Sequence, residues 1–489
     1  MKENKDRLSA LVAQLSTCLP AECILHEAEN LAPYECDGLS AYRCLPMLVV
    51  IPENIEQIIS VIKICSENKL PLVARGAGTG LSGGALPLED GVLLSLAKFN
   101  RILDIDINNQ TARVQPGVRN LAISEAVSKH GLYYAPDPSS QIACSIGGNV
   151  AENAGGVHCL KYGLTVHNIQ KLEIITMQGE QLTIGSNALD SPGYDLLALM
   201  TGSEGLLGII TEVTVKLLAR PSSAKALLVS FDDVATAGQA VSNIIADGII
   251  PAGLELMDNA AIRAADDFIN AGYPRDAAAI LLCEIDGTDE EVNDQLKHTM
   301  DVLKQSGATE IRVAKDEQER IKFWAGRKAA FPAVGRLSPD YYCMDGTIPR
   351  YQIANVLTRI GELSDDYKLP IVNVFHAGDG NLHPLILYDA NIEGELERTE
   401  ELGGKILEIC VEAGGTITGE HGVGIEKINQ MCVQFNSNEL QQFHAIKHAF
   451  DPDELLNPGK NIPTLHRCAE FGAMHVHNGK LPHPELERF

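Results

Sequence analysis

The sequence predicts an α+β fold built from two domains, and three observations support this prediction. The chain has 489 residues, 45% hydrophobic and 21% charged, which is enough for two or three domains with cores of their own. A glycine-dense loop, Gly76 to Gly84, lies between two short apolar runs typical of buried strands. In the second half, strand-like and helix-like blocks alternate, which suits an α+β domain with an antiparallel sheet but does not determine its topology.

The glycine loop is the most distinctive local feature. Five of the nine residues from Gly76 to Gly84 are glycine, so bare backbone N–H groups can approach a large anion such as a diphosphate. The segment Gly78–Gly83 matches G-x-G-x-x-G, but Pro87 and the strand after it argue against the helix that a Rossmann motif needs. The Walker motif is excluded because no Gly-Lys-Ser/Thr follows. For an isolated run, a flexible hairpin loop would be the alternative.

This loop is not isolated, because two more glycine-rich segments follow at Pro136–Gly156 and Thr201–Ile210. The last of them leads into a strand-like run that ends near Leu218. Around these segments the periodicity predicts strands at Leu70–Ala74 and Gly91–Leu96, helices at Glu53–Asn68 and Arg119–Lys129, and a linker at Ala219–Ala224.

The second half has a regular pattern of predicted elements. Two strands and four helices are expected, at Ala226–Ser230, Ala278–Glu284, Val234–Ala246, Glu290–Gln305, Pro349–Leu363 and Glu393–Val411.

Composition excludes several classes of function. The net charge of −26 argues against a nucleic-acid partner, because phosphate binding needs clustered Lys and Arg. No apolar run approaches the ~20 residues of a membrane span, and the N-terminus has no apolar signal core, so a cytoplasmic protein is expected. The twelve cysteines form no C-x-x-C pair, so a reduced chain without an iron–sulfur cluster is expected.

A second constellation of polar residues lies in Val374–Pro384 and Gly419–Gly424. A lone histidine is more often structural than a ligand, but His376, His383 and the Glu420–His421 pair all lie in glycine-flanked turns. Cysteine is absent from both segments, which disfavours a structural zinc site. Three nitrogen and oxygen ligands would leave an open coordination position, as catalytic metal sites do.

The three glycine-rich segments, in this order, resemble the FAD-binding domain of the vanillyl-alcohol oxidase superfamily. The resemblance implies that the first loop binds the pyrophosphate, while the second and third line the adenosine and the flavin ring. Thr79 occupies the place where members with covalent flavin often carry His, so non-covalent FAD is expected. The residues implied for FAD are Gly76, Ala77, Gly78, Thr79, Gly80, Pro138, Cys144, Gly147, Gly148, Asn149, Asn153, Gly155, Glu204, Gly205, Ile210 and Asn457.

The C-terminal motifs resemble the FAD-linked 2-hydroxy acid dehydrogenases. The resemblance implies that His376, His383 and Glu420 bind a divalent metal (zinc, manganese or iron) and that His421 is the base. Arg327 matches a carboxylate-binding arginine of the group.

Longer stretches resemble the glycolate-oxidising members of this group. They are Tyr341–Pro349, Asn457–Lys460 and the tail from Leu465 to Phe489. The implied reaction is oxidation of glycolate to glyoxylate, or of a short D-2-hydroxy acid such as D-lactate, by hydride transfer to flavin. The neighbourhood of Phe331 and Tyr342–Cys343 lacks the polar groups of relatives that handle dicarboxylates, which fits a short acid. A D-lactate dehydrogenase and a non-catalytic FAD-binding subunit are the alternatives.

The expected organisation has four parts. They are an N-terminal helix and arm (1–40), an FAD-binding domain (41–220), a substrate and metal domain (221–462) and a C-terminal interaction tail (463–489). The resemblance also implies two partners, a second flavin subunit and an iron–sulfur subunit, which pass electrons to a quinone. Such partners would hold the chain indirectly at the inner face of the cell membrane.

Overall fold

The computed structural model of the chain describes residues 2–188 and 193–464. The N-terminal part begins with a four-stranded sheet in the order β1-β2-β4-β3, in which β2, β3 and β4 run parallel and β1 is antiparallel. Its strands are β1 (Ile24–Leu25), β2 (Leu48–Val50), β3 (Leu72–Arg75) and β4 (Val92–Ser95). The glycine loop connects β3 to β4 without a helix, as predicted when the Rossmann motif was excluded.

A second, antiparallel sheet of five strands follows in the order β5-β6-β10-β8-β9, beside a two-stranded ribbon of β7 and β11. These strands are β5 (Ile102–Asp106), β6 (Thr111–Val114), β7 (Leu132–Tyr133), β8 (Ile169–Ile175), β9 (Gln181–Gly185), β10 (Ile209–Lys216) and β11 (Leu218–Ala219). The helices of this half are α1 (Lys2–Leu15), α2 (Ala28–Leu31), α3 (Ile55–Glu67), α4 (Asn120–Val127), α5 (Ile146–Glu152), α6 (Cys159–Tyr162), α7 (Thr165–Asn168) and α8 (Leu196–Met200).

The C-terminal half is built on one antiparallel sheet of seven strands in the order β15-β12-β14-β13-β17-β18-β16. The strands are β12 (Ser223–Phe231), β13 (Gly253–Asp258), β14 (Ala279–Gly287), β15 (Glu310–Val313), β16 (Asp340–Cys343), β17 (Ile371–Phe375) and β18 (Pro384–Tyr388). The helices are α9 (Val234–Ala246), α10 (Asn259–Ile269), α11 (Asp289–Gln305), α12 (Glu317–Lys328), α13 (Ala330–Val334), α14 (Ile353–Tyr367), α15 (Glu395–Glu412), α16 (Met431–Gln434) and α17 (Ser437–Phe450).

Both faces of this large sheet are buried. Along β12, Leu227, Val229 and Phe231 belong to the core beneath α9, α14 and α15, whereas Ala226 and Leu228 belong to the core beneath α10, α12 and α13. This alternation follows from the two-residue period of a strand. The resulting layered α+β architecture confirms the predicted fold class and its antiparallel C-terminal sheet.

The structure differs from the predicted organisation at the linker between the two domains and near the C-terminal end of the second domain. The predicted linker Ala219–Ala224 is wrong at its end, because β12 already begins at Ser223. After α17 the chain returns to the first sheet, where Leu72 N–H donates to Leu455 O (2.7 Å) and Asn457 N–H donates to Leu72 O (2.8 Å). Residues 455–457 therefore extend the first sheet beside β3, and the predicted tail Leu465–Phe489 lies outside the described residues.

A helix that crosses a bilayer needs about 20 predominantly apolar residues. Among the described residues, no helix is both long enough and apolar enough to do so.

Candidate active site

One cavity of about 520 Å³ joins the two halves of the molecule. The three glycine-rich segments line one side, and residues of α12, α13 and the histidine turns line the other. Of the predicted cofactor residues, twelve line it: Gly76, Ala77, Gly78, Thr79, Gly80, Pro138, Gly147, Gly148, Asn149, Glu204, Gly205 and Ile210. Arg327, His376, His383, Glu420 and His421 line the same cavity. Residues nearly 350 positions apart thus share one site.

At two positions of the first glycine loop, neighbouring side chains leave no room for a Cβ atom. A Cβ on Gly76 would stand 2.2 Å from Ser145 Oγ, and Gly78 has a left-handed φ of +69° with the Arg75 guanidinium behind it. Arg75 Nη1 in turn donates to the carbonyl oxygens of Cys36 (2.7 Å) and Tyr34 (3.3 Å). The turn at residues 34–38 therefore packs beneath the glycine loop and holds its shape.

Four predicted cofactor residues are not among the described residues that line the cavity: Cys144, Asn153, Gly155 and Asn457. Asn457 Nδ2 donates to Gly84 O (3.0 Å) and Glu204 O (2.7 Å), so it ties two FAD loops together from behind. Asn153 ends α5 in a left-handed conformation and accepts a hydrogen bond from Val166 N–H (3.0 Å). Direct contact of these four residues with FAD stays a prediction.

The metal-type ligands come together at the ends of two neighbouring strands of the large sheet, β17 and β18. His376 directly follows β17, and His383 directly precedes β18, so the antiparallel pairing of the two strands brings the rings to 5.1 Å between centroids. Their Nε2 atoms approach the same oxygen, Glu420 Oε1, at 3.2 Å from His376 and 2.9 Å from His383. The ligand atoms of the three side chains lie within 4.8 Å of one another.

The Nδ1 atoms of the two histidines are held by other groups, which leaves both Nε2 atoms facing Glu420. His376 Nδ1 lies 2.8 Å from Glu255 Oε1, and His383 Nδ1 lies 3.3 Å from Met344 O. A carboxylate or carbonyl behind a histidine orients the ring and leaves Nε2 available to a metal. Although burial opposes it, the carboxylates of Glu255 and Glu420 raise the pKa of His376 well above its ordinary value. The arrangement therefore stabilises positive charge, as a cation site does.

Glu255 is the most important residue that the sequence did not reveal. It lies on β13, fully buried, and its Oε2 also pairs with Arg327 at 2.8 Å from Nε and 2.7 Å from Nη2. Arg327 is buried, with only 1% of its surface exposed, so its guanidinium is substantially committed to Glu255. The available signal was the acid Glu255 inside the apolar run Gly253–Met257 of a buried strand.

The Glu420–His421 turn is held by a second buried acid, Asp345, which follows β16. Its carboxylate accepts hydrogen bonds from the N–H groups of Gly419 (3.0 Å) and His421 (2.9 Å) and pairs with buried Lys427 (3.0 Å). Burial by itself would raise the pKa of Asp345, but Lys427 and the neighbouring His421 and His383 together outweigh it and lower that pKa below the usual range. The turn is thus anchored by a charge pair from another part of the chain.

His421 differs from the two ligands in its surroundings. Its ring stacks on His383, with centroids 4.9 Å apart and an interplanar angle of 10°, and its Nδ1 is buried without a hydrogen-bond partner among the described residues. Its Nε2 is 3.9 Å from Glu420 Oε1. Burial lowers the pKa of His421 to about 4, so the imidazole is neutral at pH 7. Cys343, His383 and His421 also form a second candidate ligand triad, which the sequence did not suggest.

Comparison with known proteins shows the family to which the chain belongs. A profile for the C-terminal domain of FAD linked oxidases matches residues 220–461, and a profile for an FAD binding domain matches residues 46–185. Glycolate oxidase subunit GlcD of Escherichia coli (strain K12) is 68% identical over 484 residues, covering 99% of this chain and 97% of that protein. The chain belongs to the FAD-linked oxidase family.

Other relatives of this FAD-linked oxidase are more distant. Glycolate oxidase subunit GlcD of Bacillus subtilis (strain 168) is 41% identical, and the D-lactate dehydrogenase of Anaerostipes hadrus is 33% identical; each match covers 87% of this chain and 91% of the relative. Among solved structures, p-cresol methylhydroxylase with substrate bound matches with a TM-score of 0.80 at 19% identity, covering 95% of this chain and 98% of that one. The 4-ethylphenol oxidase of Gulosibacter chungangensis matches with a TM-score of 0.78 at 17% identity, covering 94% and 98%.

These matches confirm the predicted vanillyl-alcohol-oxidase-type fold and an FAD-dependent oxidoreductase. The assignment of individual site residues and the metal stay predictions.

Proposed function

We propose that this chain oxidises a short 2-hydroxy acid to the 2-oxo acid, with glycolate as the preferred substrate and D-lactate as the second. The single observation that supports this most is the shared cavity, in which the FAD loops face His376, His383, Glu420 and His421. The name of the Escherichia coli relative, glycolate oxidase subunit, is consistent with the proposal, and the D-lactate dehydrogenases among the relatives keep D-lactate as the alternative.

In this reaction, separate groups accept the electrons, accept the proton and limit the size of the substrate. When bound, FAD supplies the acceptor for the two electrons of the substrate. His421 accepts the hydroxyl proton, because its neutral ring is among the residues that line the cavity beside His383 and Glu420. Phe331 packs edge-on to His383, with ring centroids 6.3 Å apart, and forms an apolar wall that suits a short acid.

The two histidines and Glu420 fit a divalent metal, because their three ligand atoms converge on one buried point with Glu255 behind His376. Zinc, manganese or iron would suit this nitrogen and oxygen ligand set. Such an ion, when bound, would lower the pKa of a coordinated hydroxyl group. His376, His383 and Glu420 would hold it, and His421 would remain free to take the proton.

Anaerobic addition of substrate to the FAD-loaded protein tests the function. Glycolate should bleach the flavin absorbance, and D-lactate should do so more slowly than glycolate, whereas L-lactate should have little effect. Faster reduction by D-lactate would make the chain a D-lactate dehydrogenase. FAD that stays oxidised with all three acids would leave the non-catalytic FAD-binding subunit as the better description.

FAD is proposed to bind without a covalent bond, because Thr79 in the cavity wall has no nucleophilic nitrogen. Acid precipitation should therefore release the yellow colour into the supernatant. Colour that stays with the pellet would contradict this.

The chain is further proposed to work with a second flavin subunit and an iron–sulfur subunit, at the inner face of the cell membrane. The word subunit in the names of two relatives and the lack of any C-x-x-C pair support this. Quinone reduction by the isolated chain should be much slower than by membranes that contain all the partners. Equal rates would make the partners unnecessary.

A further inference from the structure

Lys328 borders two cavities at once. It is the last residue of α12, and its side chain lines the FAD cavity together with Arg327, Phe331 and the histidine cluster. It also lines an outer cavity of about 350 Å³, whose other walls are Val157, His158, Arg320, Ile321, Trp324 and Ala325. Because one side chain borders both, the outer cavity lies beside the place where the chemistry occurs.

The other long-chain cations of the FAD cavity already have partners. Arg327 pairs with Glu255 at 2.7 Å, and Arg75 donates to backbone carbonyls beneath the glycine loop. Lys328 is exposed, and the described residues offer it neither an ion pair nor a hydrogen bond. It is therefore the cation of this cavity that is available to a ligand.

In the outer cavity, too, the cations other than Lys328 are paired. His158 lies between Asp137 (2.9 Å) and Glu284 (3.6 Å), and Arg320 pairs with Glu284 and Glu317, both at 2.7 Å. Both of these cations are therefore committed to acids, whereas Lys328 is the cation of this lining that has no such partner among the described residues. In a chain with a net charge of −26, such an unpaired cation beside a cavity is a group with which an anionic ligand can form an ion pair.

We propose that Lys328 binds the carboxylate of the substrate at the mouth of the FAD cavity, and that the outer cavity is the entry route. The inference rests on the proposed function, since it requires a carboxylate substrate. A lysine ammonium on a flexible stem suits this role, because it can follow an anion from one cavity into the next. Phe331, one turn along the chain, then limits the size of the group behind the carboxylate.

The test compares Lys328→Met, Lys328→Arg and a matched control, Lys322→Met. Lys322 is also exposed on α12 but lies outside the lining of both cavities. In Lys328→Met, KM for the 2-hydroxy acid should rise about 10- to 100-fold, the range for a hydrogen bond to a charged group. The limiting rate of flavin reduction should change far less. Lys328→Arg should recover most of the affinity, and the control should match the wild type.

Two more readouts separate this role from a structural one. The salt dependence of KM should weaken in Lys328→Met, and a neutral analogue, glycolamide, should react equally well with both proteins. An unchanged KM in Lys328→Met, or a loss of rate without a change in KM, would overturn the inference.

Oxalate binding, followed through the flavin spectrum, distinguishes the two proposals. If no 2-hydroxy acid bleaches the wild type, the proposed function fails. Weaker oxalate binding in Lys328→Met would still support the carboxylate site, and equal binding would refute it.

Discussion

At the scale of single residues, His421 and the metal-type ligands should separate in their effects. His421→Ala should keep FAD and metal, while flavin reduction slows by about 10²–10⁴-fold, the usual contribution of a general base. His376→Ala and His383→Ala should lose the metal and keep FAD, because the glycine loops belong to the other half of the chain. Metal content by mass spectrometry and stopped-flow bleaching measure both.

The second candidate triad, Cys343, His383 and His421, would make His421 a metal ligand, which would contradict this prediction. Metal lost equally from all three histidine variants would mean that His421 is itself a ligand. Flavin reduction that is undiminished in metal-free protein would remove the ion from the reaction.

Glu255 should be required for stability as well as for the site. Glu255→Ala leaves Arg327 buried without its partner, which typically costs about 3–5 kcal/mol of unfolding free energy. It also removes the carboxylate behind His376, so metal affinity should fall about 10- to 100-fold. Urea unfolding and metal titration test these effects, with exposed Glu393→Ala as the control. A Glu255→Ala protein as stable as the control would show that Arg327 finds another partner.

At the scale of elements, the turn at residues 419–424 should tolerate no side chain at its centre. Gly422 has a φ of +80°, and a Cβ there would stand 2.0 Å from Glu152 Oε2 and 2.9 Å from Glu204 Oε1. The left-handed conformation alone costs an alanine roughly 1–2 kcal/mol, and the clash adds to it. Gly422→Ala should therefore lower the unfolding midpoint and displace His421, which slows flavin reduction.

Gly361→Ala is the matched control, and we expect it to change stability in the opposite direction. Gly361 lies within α14, and a Cβ there would meet nothing within 4 Å. Gly361→Ala should stabilise the protein by about 0.5–1 kcal/mol, because alanine loses less backbone entropy in a helix. Equal effects of the two substitutions would show that the turn at 419–424 adapts to a side chain.

At the scale of the whole molecule, His158 joins the two halves. It contacts Asp137 of the FAD loops and Glu284 of the large sheet, and although burial opposes it, these acids raise the pKa of His158 to about 10. A raised folded pKa gives stability that is complete below the unfolded pKa of about 6.5 and is lost as the pH rises through about 10.

The wild type should therefore lose roughly 2–4 kcal/mol between pH 7 and pH 10.5, an effect that His158→Gln should lack. Urea unfolding at both pH values measures the difference. Parallel losses in the two proteins would assign the alkaline destabilisation to other groups.

Much of the local structure was predictable from the sequence. The helix Val234–Ala246 was predicted with the bounds that the structure shows, and the helix predicted at Glu290–Gln305 begins one residue earlier. Both have apolar residues at helical spacing and a capping residue, Asp233 or Thr288, at the N-terminus. The strand β12 was predicted too short, because Ser223 and Ala224 are small and carry little periodic signal.

The sequence by itself determined the fold class and the glycine loops, because each depends on residues close together in the chain. The grouping of His376, His383 and Glu420 came from the resemblance of their motifs to those of a known enzyme group. Only the tertiary structure decided what supports them. Glu255 lies 121 residues from His376, and Asp345 lies 76 residues from His421. A single acid in a buried strand has the same local pattern whether it holds an arginine, a metal ligand or neither. Burial makes such partners necessary, but it is the folded chain that selects which distant residue provides them.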